Sequence, residues 1–323
     1  MRSWGAATIT RVIANGWSAA ARRLFIVSVV LGTAACGSGS DRVASPIGAG
    51  VVWTRVTDAA DAPDPCFPDW RSGRILFTYA TGGTRRLAVV REDGSGLVFL
   101  PSTAGRDSSA RWITDSTLVE SSDRAGSFDL WVRDTTASSA LRALTAYPEG
   151  ELHPAPRPGA PGVAYVEDLG ASRRLALLPD TAVVSPQRIH LTGTGLLPRE
   201  PDWDPTGQRI CFSADSANGS RHVWMVSLTD TIPRQLTTGP YRDDAPRFSP
   251  DGTRILFVSD RMGRSGLWTV SPEGEAVSLR AIVFGHTGAT LATPCWSPDG
   301  TRIAVSWDGR GYGRAIWILS DLP

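Results

Sequence analysis

Trp296-Ser-Pro-Asp-Gly-Thr-Arg-Ile303 repeats Phe248-Ser-Pro-Asp-Gly-Thr-Arg-Ile255 with only the aromatic changed, and Trp203-Asp-Pro-Thr-Gly-Gln-Arg-Ile210 keeps the same frame. Weaker copies begin at Phe67, Trp112 and Pro156 and lead to Ile75, Leu118 and Val163. The anchors at 67, 112, 156, 203, 248 and 296 are separated by 45, 44, 47, 45 and 48 residues. A second landmark follows each at 19 to 21 residues: Ala88, Trp131, Ala176, Trp224, Trp268 and Trp317. Two landmarks in one register define a repeat of about 46 residues, too small to shield its own apolar sheet, so the copies must stack.

Each copy divides into strands. Pro-Asp-Gly supplies a tight turn, because Gly accepts φ > 0 and Asp tolerates it; at this spacing Asp251 and Asp299 are turn formers and not metal ligands. The runs Ile-Leu-Phe-Val and Ile-Cys-Phe-Ser after the turns are continuously apolar, as suits strands covered on both faces. The landmark strand follows, then a fourth strand ending near Leu144-Thr145, Leu191-Thr192 or Leu236-Thr237. The expected fold is all-β: a six-bladed β-propeller with four antiparallel strands per blade. After Trp317 too few residues remain for an outer strand, whereas Val51 to Thr57 has the spacing of a fourth strand with no blade before it. Strand 51–57 is therefore expected to close the ring in the last blade and hide two open edges.

Composition agrees and narrows the function. The chain of 323 residues has 33 Gly, 23 Pro and 12 Trp, and all 33 basic residues are Arg, which fits a GC-rich genome. The first 35 residues carry Arg2, Arg11, Arg22 and Arg23 and no acid, so without them the formal charge of +1 falls to −3. A mildly acidic remainder has no footprint for nucleic acid. Arg22 and Arg23, the apolar run Leu24 to Leu31, and Gly32 to Cys36 have the layout of a secretory signal, too short to span a bilayer. Small residues ending at Cys36 resemble a bacterial lipobox, with Thr33 where Leu is usual, which implies lipid on Cys36. Ala21 to Ile26 also resembles a twin-arginine motif, so the sequence leaves the export route open. The expected organisation is a signal over 1–35, a flexible tether over 36–50 and the propeller over 51–323.

The Trp/Phe-Ser-Pro-Asp-Gly-x-Arg-Ile repeat, with an aromatic strand about 20 residues later, resembles that of the TolB propeller and its WD-like relatives. The resemblance implies a periplasm-facing, six-bladed propeller used for protein–protein contact; taken with the lipobox-like Cys36, the expectation is a monomer, lipid-anchored to a bacterial membrane, that binds a protein or peptide partner. TolB carries an α/β domain before its propeller, for which residues 37–50 have no room, so its envelope role is not transferred.

Chemistry is sparse. The four His, at 153, 190, 222 and 286, fall in different repeats with no HExxH or HxH pair, and no Gly-x-Ser-x-Gly elbow occurs. No metal, cofactor or catalytic residue is expected. Cys66 and Cys295 each precede an anchor, in blades that the ring makes neighbours, and are expected to form a disulfide if Cα atoms approach within ~7 Å; Cys211 is expected to be an apolar filler. The loops entering the inner strands and those joining second and third strands share one face. There Asp64, Arg106, Asp107, Glu149, Glu151, His153, Arg199, Glu200, Arg242, Asp243, Asp244 and His286 are the candidate partner-binding residues. The alternatives are an enzyme, a glycan lyase or hydrolase working at the channel mouth, and a structural spacer; the propeller fold alone does not choose between them.

Overall fold

The computed structural model describes residues 42–44, 50–101, 105–136, 141–184, 187–215, 219–275, 278–285, 290–309 and 313–323. The expected signal segment, Cys36 and His286 lie outside these residues. Six antiparallel sheets follow one another along the chain, and no helix occurs among the described residues. The inner strands are Cys66–Arg71, Asp107–Trp112, Gly150–Pro156, Leu197–Trp203, Asp243–Phe248 and Leu291–Trp296. Every blade then steps outward through second, third and outer strands.

Closure follows the expected pairing. Val52–Arg55 lies antiparallel to Ala315–Ser320, with Trp53 opposite Leu319 and Thr54 opposite Ile318, and is the outer strand of the sixth blade. Trp53 packs on Trp307 at 4.6 Å between ring centroids and on Trp317 at 6.4 Å. Arg42–Ala44, which composition places in the tether, adds a fifth strand beyond it.

Two-sided burial divides the core into six apolar clusters, one at each joint between neighbouring blades. Leu76, Leu87, Ala110 and Trp112 join blades 1 and 2. Val119, Leu130, Val163 and Tyr165 join blades 2 and 3. The other four joints repeat the arrangement, and the sixth ties Ile75 and Phe77 to Ile316 and Ile318 across the closure. A blade without neighbours would expose both its faces to water, so the ring is the folding unit.

The Pro-Asp-Gly turns use their side chains internally. Asp299 Oδ1 accepts from Thr301 N (3.0 Å) and Ser297 Oγ (2.5 Å), and Gly300 adopts φ 70°. Asp251 repeats this with Ser249 and Thr253, and these hydrogen bonds hold both carboxyls down at about 2. The Leu-Thr pairs that end the outer strands are equally local. Thr145, Thr192 and Thr237 hydroxyls accept from Leu130, Leu175 and Val223 amides, and Thr57 does the same for Ile316 at the closure.

Blade 1 departs from the expected register. Ile75 pairs with Trp70, as Ile303 pairs with Trp296 and Ile210 with Trp203, so Trp70 is the true anchor and Phe67 stands three residues too early. The cause is a shorter hairpin: Ser72 (φ 46°) and Gly73 (φ 69°) make a two-residue turn with both φ positive where blades 5 and 6 use Pro-Asp-Gly. The expected disulfide falls with this register. Cys295 lies level with Asp69, whereas Cys66 sits three residues further up its strand, and Cys66, Cys211 and Cys295 are all buried free thiols.

Candidate functional site

In five blades the inner strand slips register around one non-glycine residue in the left-handed region: Phe67 (φ 54°), His153 (52°), Glu200 (50°), Ala245 (52°) and Thr293 (44°). The next residue is Pro each time, at 68, 154, 201, 246 and 294. Proline has no N–H, so it leaves no orphan donor where the bulge interrupts the ladder. Blade 2 has Ala110 at that place, and its register shift, between Asp107 and Ser109, uses no left-handed residue.

The bulges aim side chains into the channel. Phe67 of blade 1 meets His153 of blade 3 with ring centroids 5.8 Å apart, and Phe67 N donates to Thr293 Oγ1 of blade 6 at 3.0 Å. Burial, with the charges of Arg173, Arg247 and Arg199, pushes His153 down to about 3 and keeps it neutral. Burial and the Asp244 charge lift Glu200 to about 7, against Arg247, Arg221 and Arg199.

Two residues further along each strand, just before the anchors, charges lock the ring across its axis. Arg111, in blade 2, has its Nε 2.8 Å from Asp69 Oδ1 of blade 1, and its Nη2 lies 2.5 Å from Asp202 Oδ1 of blade 4, two blades further round the ring. The second oxygen of each carboxylate accepts the anchor amide of the next blade, Trp112 N at 2.7 Å and Phe248 N at 2.8 Å. These bonds raise the Arg111 pKa despite burial. Cys295 stands at the same level, its thiol pushed up to about 12 by burial and the Asp69 charge.

A cavity of about 410 Å³ opens here, at the mouth where the inner strands turn outward. Trp70, Phe248 and Trp296 line it together with Asp69, Arg111, Asp202 and Arg247, a size and mixture that suit a small ligand or peptide segment. Sequence reasoning missed this mouth because it followed the loops of the opposite face. The Xaa-Pro pair two to three residues before each anchor, present in five repeats, was the signal that locates the channel wall.

Comparison with known proteins identifies the repeat. The family described as TolB beta propeller domain matches residues 181–318. A TolB homolog of Chlorobium chlorochromatii is 27% identical over 191 residues, 59% of this chain and 41% of that protein. The crystal structure of TolB from Acinetobacter baumannii superposes with a TM-score of 0.61 at 16% identity, covering 78% of this chain and 64% of that one. The propeller is similar to that of TolB. An uncharacterized peptidase of Bacillus subtilis, YuxL, is 32% identical over 124 residues, 36% of this chain and 18% of that protein. The chain thus spans well under half the length of both curated relatives.

On the loop face of the TolB-like propeller the candidate residues scatter. Asp64 is bonded to Arg85 and lies 3.3 Å from Arg314; Arg106 pairs with Asp123 at 2.7 Å, Arg199 with Asp215 at 3.4 Å, and Asp244 with Arg221 at 2.5 Å. Glu149, half-buried, binds Arg188 at 3.1 Å, and Arg242 is exposed. Three candidates are corrected. Asp107, Glu151 and Asp243 are buried at the upper ends of their strands and unavailable to a surface partner: Asp107 bonds Arg124 (3.0 Å), Asp243 bonds Arg261 (2.8 Å), and Glu151 is enclosed between blades. His153 and Glu200 belong to the channel wall, and among the described residues no group of His, Cys, Asp and Glu is arranged to hold a metal.

Proposed function

We propose that this chain is an exported, non-catalytic binding protein, held at a bacterial membrane by lipid on Cys36, whose propeller takes a peptide segment of a partner protein into the turn-side mouth of its channel. The cavity of about 410 Å³ carries this reading. Its aromatic rings offer apolar contact, while the Asp69–Arg111–Asp202 bridge fixes its floor, so the site is preformed and a ligand has little ordering to impose. His153, held down at about 3 by burial and neighbouring arginines, is too weak a base to take up a proton at neutral pH, which favours binding over acid–base chemistry. Panning a displayed peptide library on the full chain should enrich a family of segments whose binding is lost in Trp296→Ala and kept in Arg242→Ala on the loop face. Enrichment indifferent to Trp296 would remove the mouth from the reading. Metabolic labelling with palmitate should mark the wild-type chain and not Cys36→Ser.

One observation favours a second reading as an enzyme. Glu200, in the channel with its carboxyl near 7, is suited to general acid–base work. A hydrolase or lyase screen in which Glu200→Gln abolishes turnover would establish it over the binding protein.

A further inference from the structure

Arg247 is a buried cation of the channel, near enough to Glu200 for its charge to favour that carboxylate. Its side chain is 5% exposed and lines the turn-side cavity, yet among the described residues it makes no ion pair. Both hydrogen bonds its guanidinium makes leave from Nη1, to Pro246 O at 2.9 Å and to Glu200 O at 3.5 Å, and Nε has no partner. A buried, unsatisfied guanidinium nitrogen costs stability unless something in use supplies its acceptor. The three acids that line the cavity with it are committed elsewhere. Asp69 and Asp202 each spend one oxygen on Arg111 and the other on a backbone amide, and Asp115 is held by Arg71 at 2.7 Å.

We infer that the turn-side mouth is a carboxylate-recognition site, in which Arg247 binds the C-terminal carboxylate of a peptide whose last side chains lie against Trp70, Phe248 and Trp296. This rests on the proposed binding of a peptide at that mouth and adds the group that is read. A planar carboxylate matches the parallel N–H pair of a guanidinium edge, a match that an ammonium in the same place cannot make. A dianion such as phosphate fits less well, because Asp69 and Asp202 line the same cavity and repel a second negative charge more than a first.

The test uses the full chain carrying Cys36→Ser, labelled with ¹⁵N-arginine, and reads the Nε–H resonance that disappears in Arg247→Lys. N-acetyl-alanyl-alanine as the free acid should shift that resonance, while its C-terminal amide and inorganic phosphate should not. Arg247→Lys should weaken the free acid at least about tenfold, or ~1.4 kcal/mol, and leave the thermal midpoint close to wild type. A free acid that leaves the Arg247 resonance unmoved, or an amide or phosphate that shifts it equally, overturns the carboxylate assignment. If the acid and amide perturb the Trp70 and Trp296 indole resonances alike, with Arg247 still, the carboxylate assignment fails and peptide binding at the mouth stands. If neither perturbs any lining residue and peptide panning also fails, both fall.

Discussion

Blades 5 and 6 are joined differently from blades 2 and 3, and the contrast shows what the repeat motif is for. At the 5–6 joint Arg254, from the start of one second strand, lies over the Trp296 ring of the next blade, 5.0 Å from its centroid. The same stacking recurs as Arg302 on Trp70 (4.7 Å), Arg74 on Trp112 (5.0 Å), Arg157 on Trp203 (5.5 Å) and Arg209 on Phe248 (5.7 Å). Five of the six joints therefore carry a cation over an anchor ring, an interaction of about 0.5–2 kcal/mol each beyond the area buried. The 2–3 joint has Pro156 in place of the ring and relies on a buried polar contact. Glu151, fully buried, accepts from Thr145 Oγ1 at 2.9 Å, and its other oxygen has no donor; nor does Oδ1 of Asp129, in the blade before. A single proton shared between the two carboxyls satisfies both, and burial together with the Asp129 charge and its hydrogen bond lifts Glu151 to about 8. The anchor motif thus makes the joints between blades, and where it lapses a buried acid with raised proton affinity stands at the joint.

The contrast breaks most visibly on deleting an anchor. Trp296→Ala should cost about 3–5 kcal/mol in denaturant unfolding, whereas Pro156→Ala, with no ring to lose, should cost under about 1 kcal/mol. Equal losses would mean that the anchors do not make the joints. The next effect is in pH. Folded Glu151 keeps its proton up to about 8, while unfolded it titrates near its ordinary 4.5, so the folded state binds the extra proton between those values. Stability from this group is complete below about pH 4.5 and declines as pH rises to 8, by on the order of 5 kcal/mol. Glu151→Gln, which can still donate to Asp129, should flatten that slope and be more stable than wild type above pH 8. A slope unchanged in the variant would place the proton elsewhere. The smallest effect sharpens the comparison: Arg254→Met should lose about 0.5–2 kcal/mol, with little dependence on pH in this range.

Spacing alone carried the blade count and the closing strand, because apolar strands and anchor rings recur whatever the loops do. It failed where a loop changed length. The hairpin of blade 1 places Trp70 five residues before Ile75, where Trp296 stands seven before Ile303, so a constant frame selected Phe67 and, with it, the wrong partner for Cys295. The candidate site was harder to read because side chains at a bulge do not follow the alternation of a regular strand. Glu151 and Asp243 look like loop acids in sequence, yet each is the first inward residue of a strand covered by its neighbour. Arg111 and Asp202 lie 91 residues apart, and only the curvature of the ring brings them into contact.

The Xaa-Pro bulges separate the shape of the bore from its chemistry. An aromatic, an imidazole, a carboxyl, a methyl and a hydroxyl occupy five equivalent seats on one backbone conformation, and none of them is an anchor at a joint. Exchanging these residues retunes what the pore admits without reworking the walls that hold the circle together, so such a protein can change ligand by five substitutions while its architecture stays fixed.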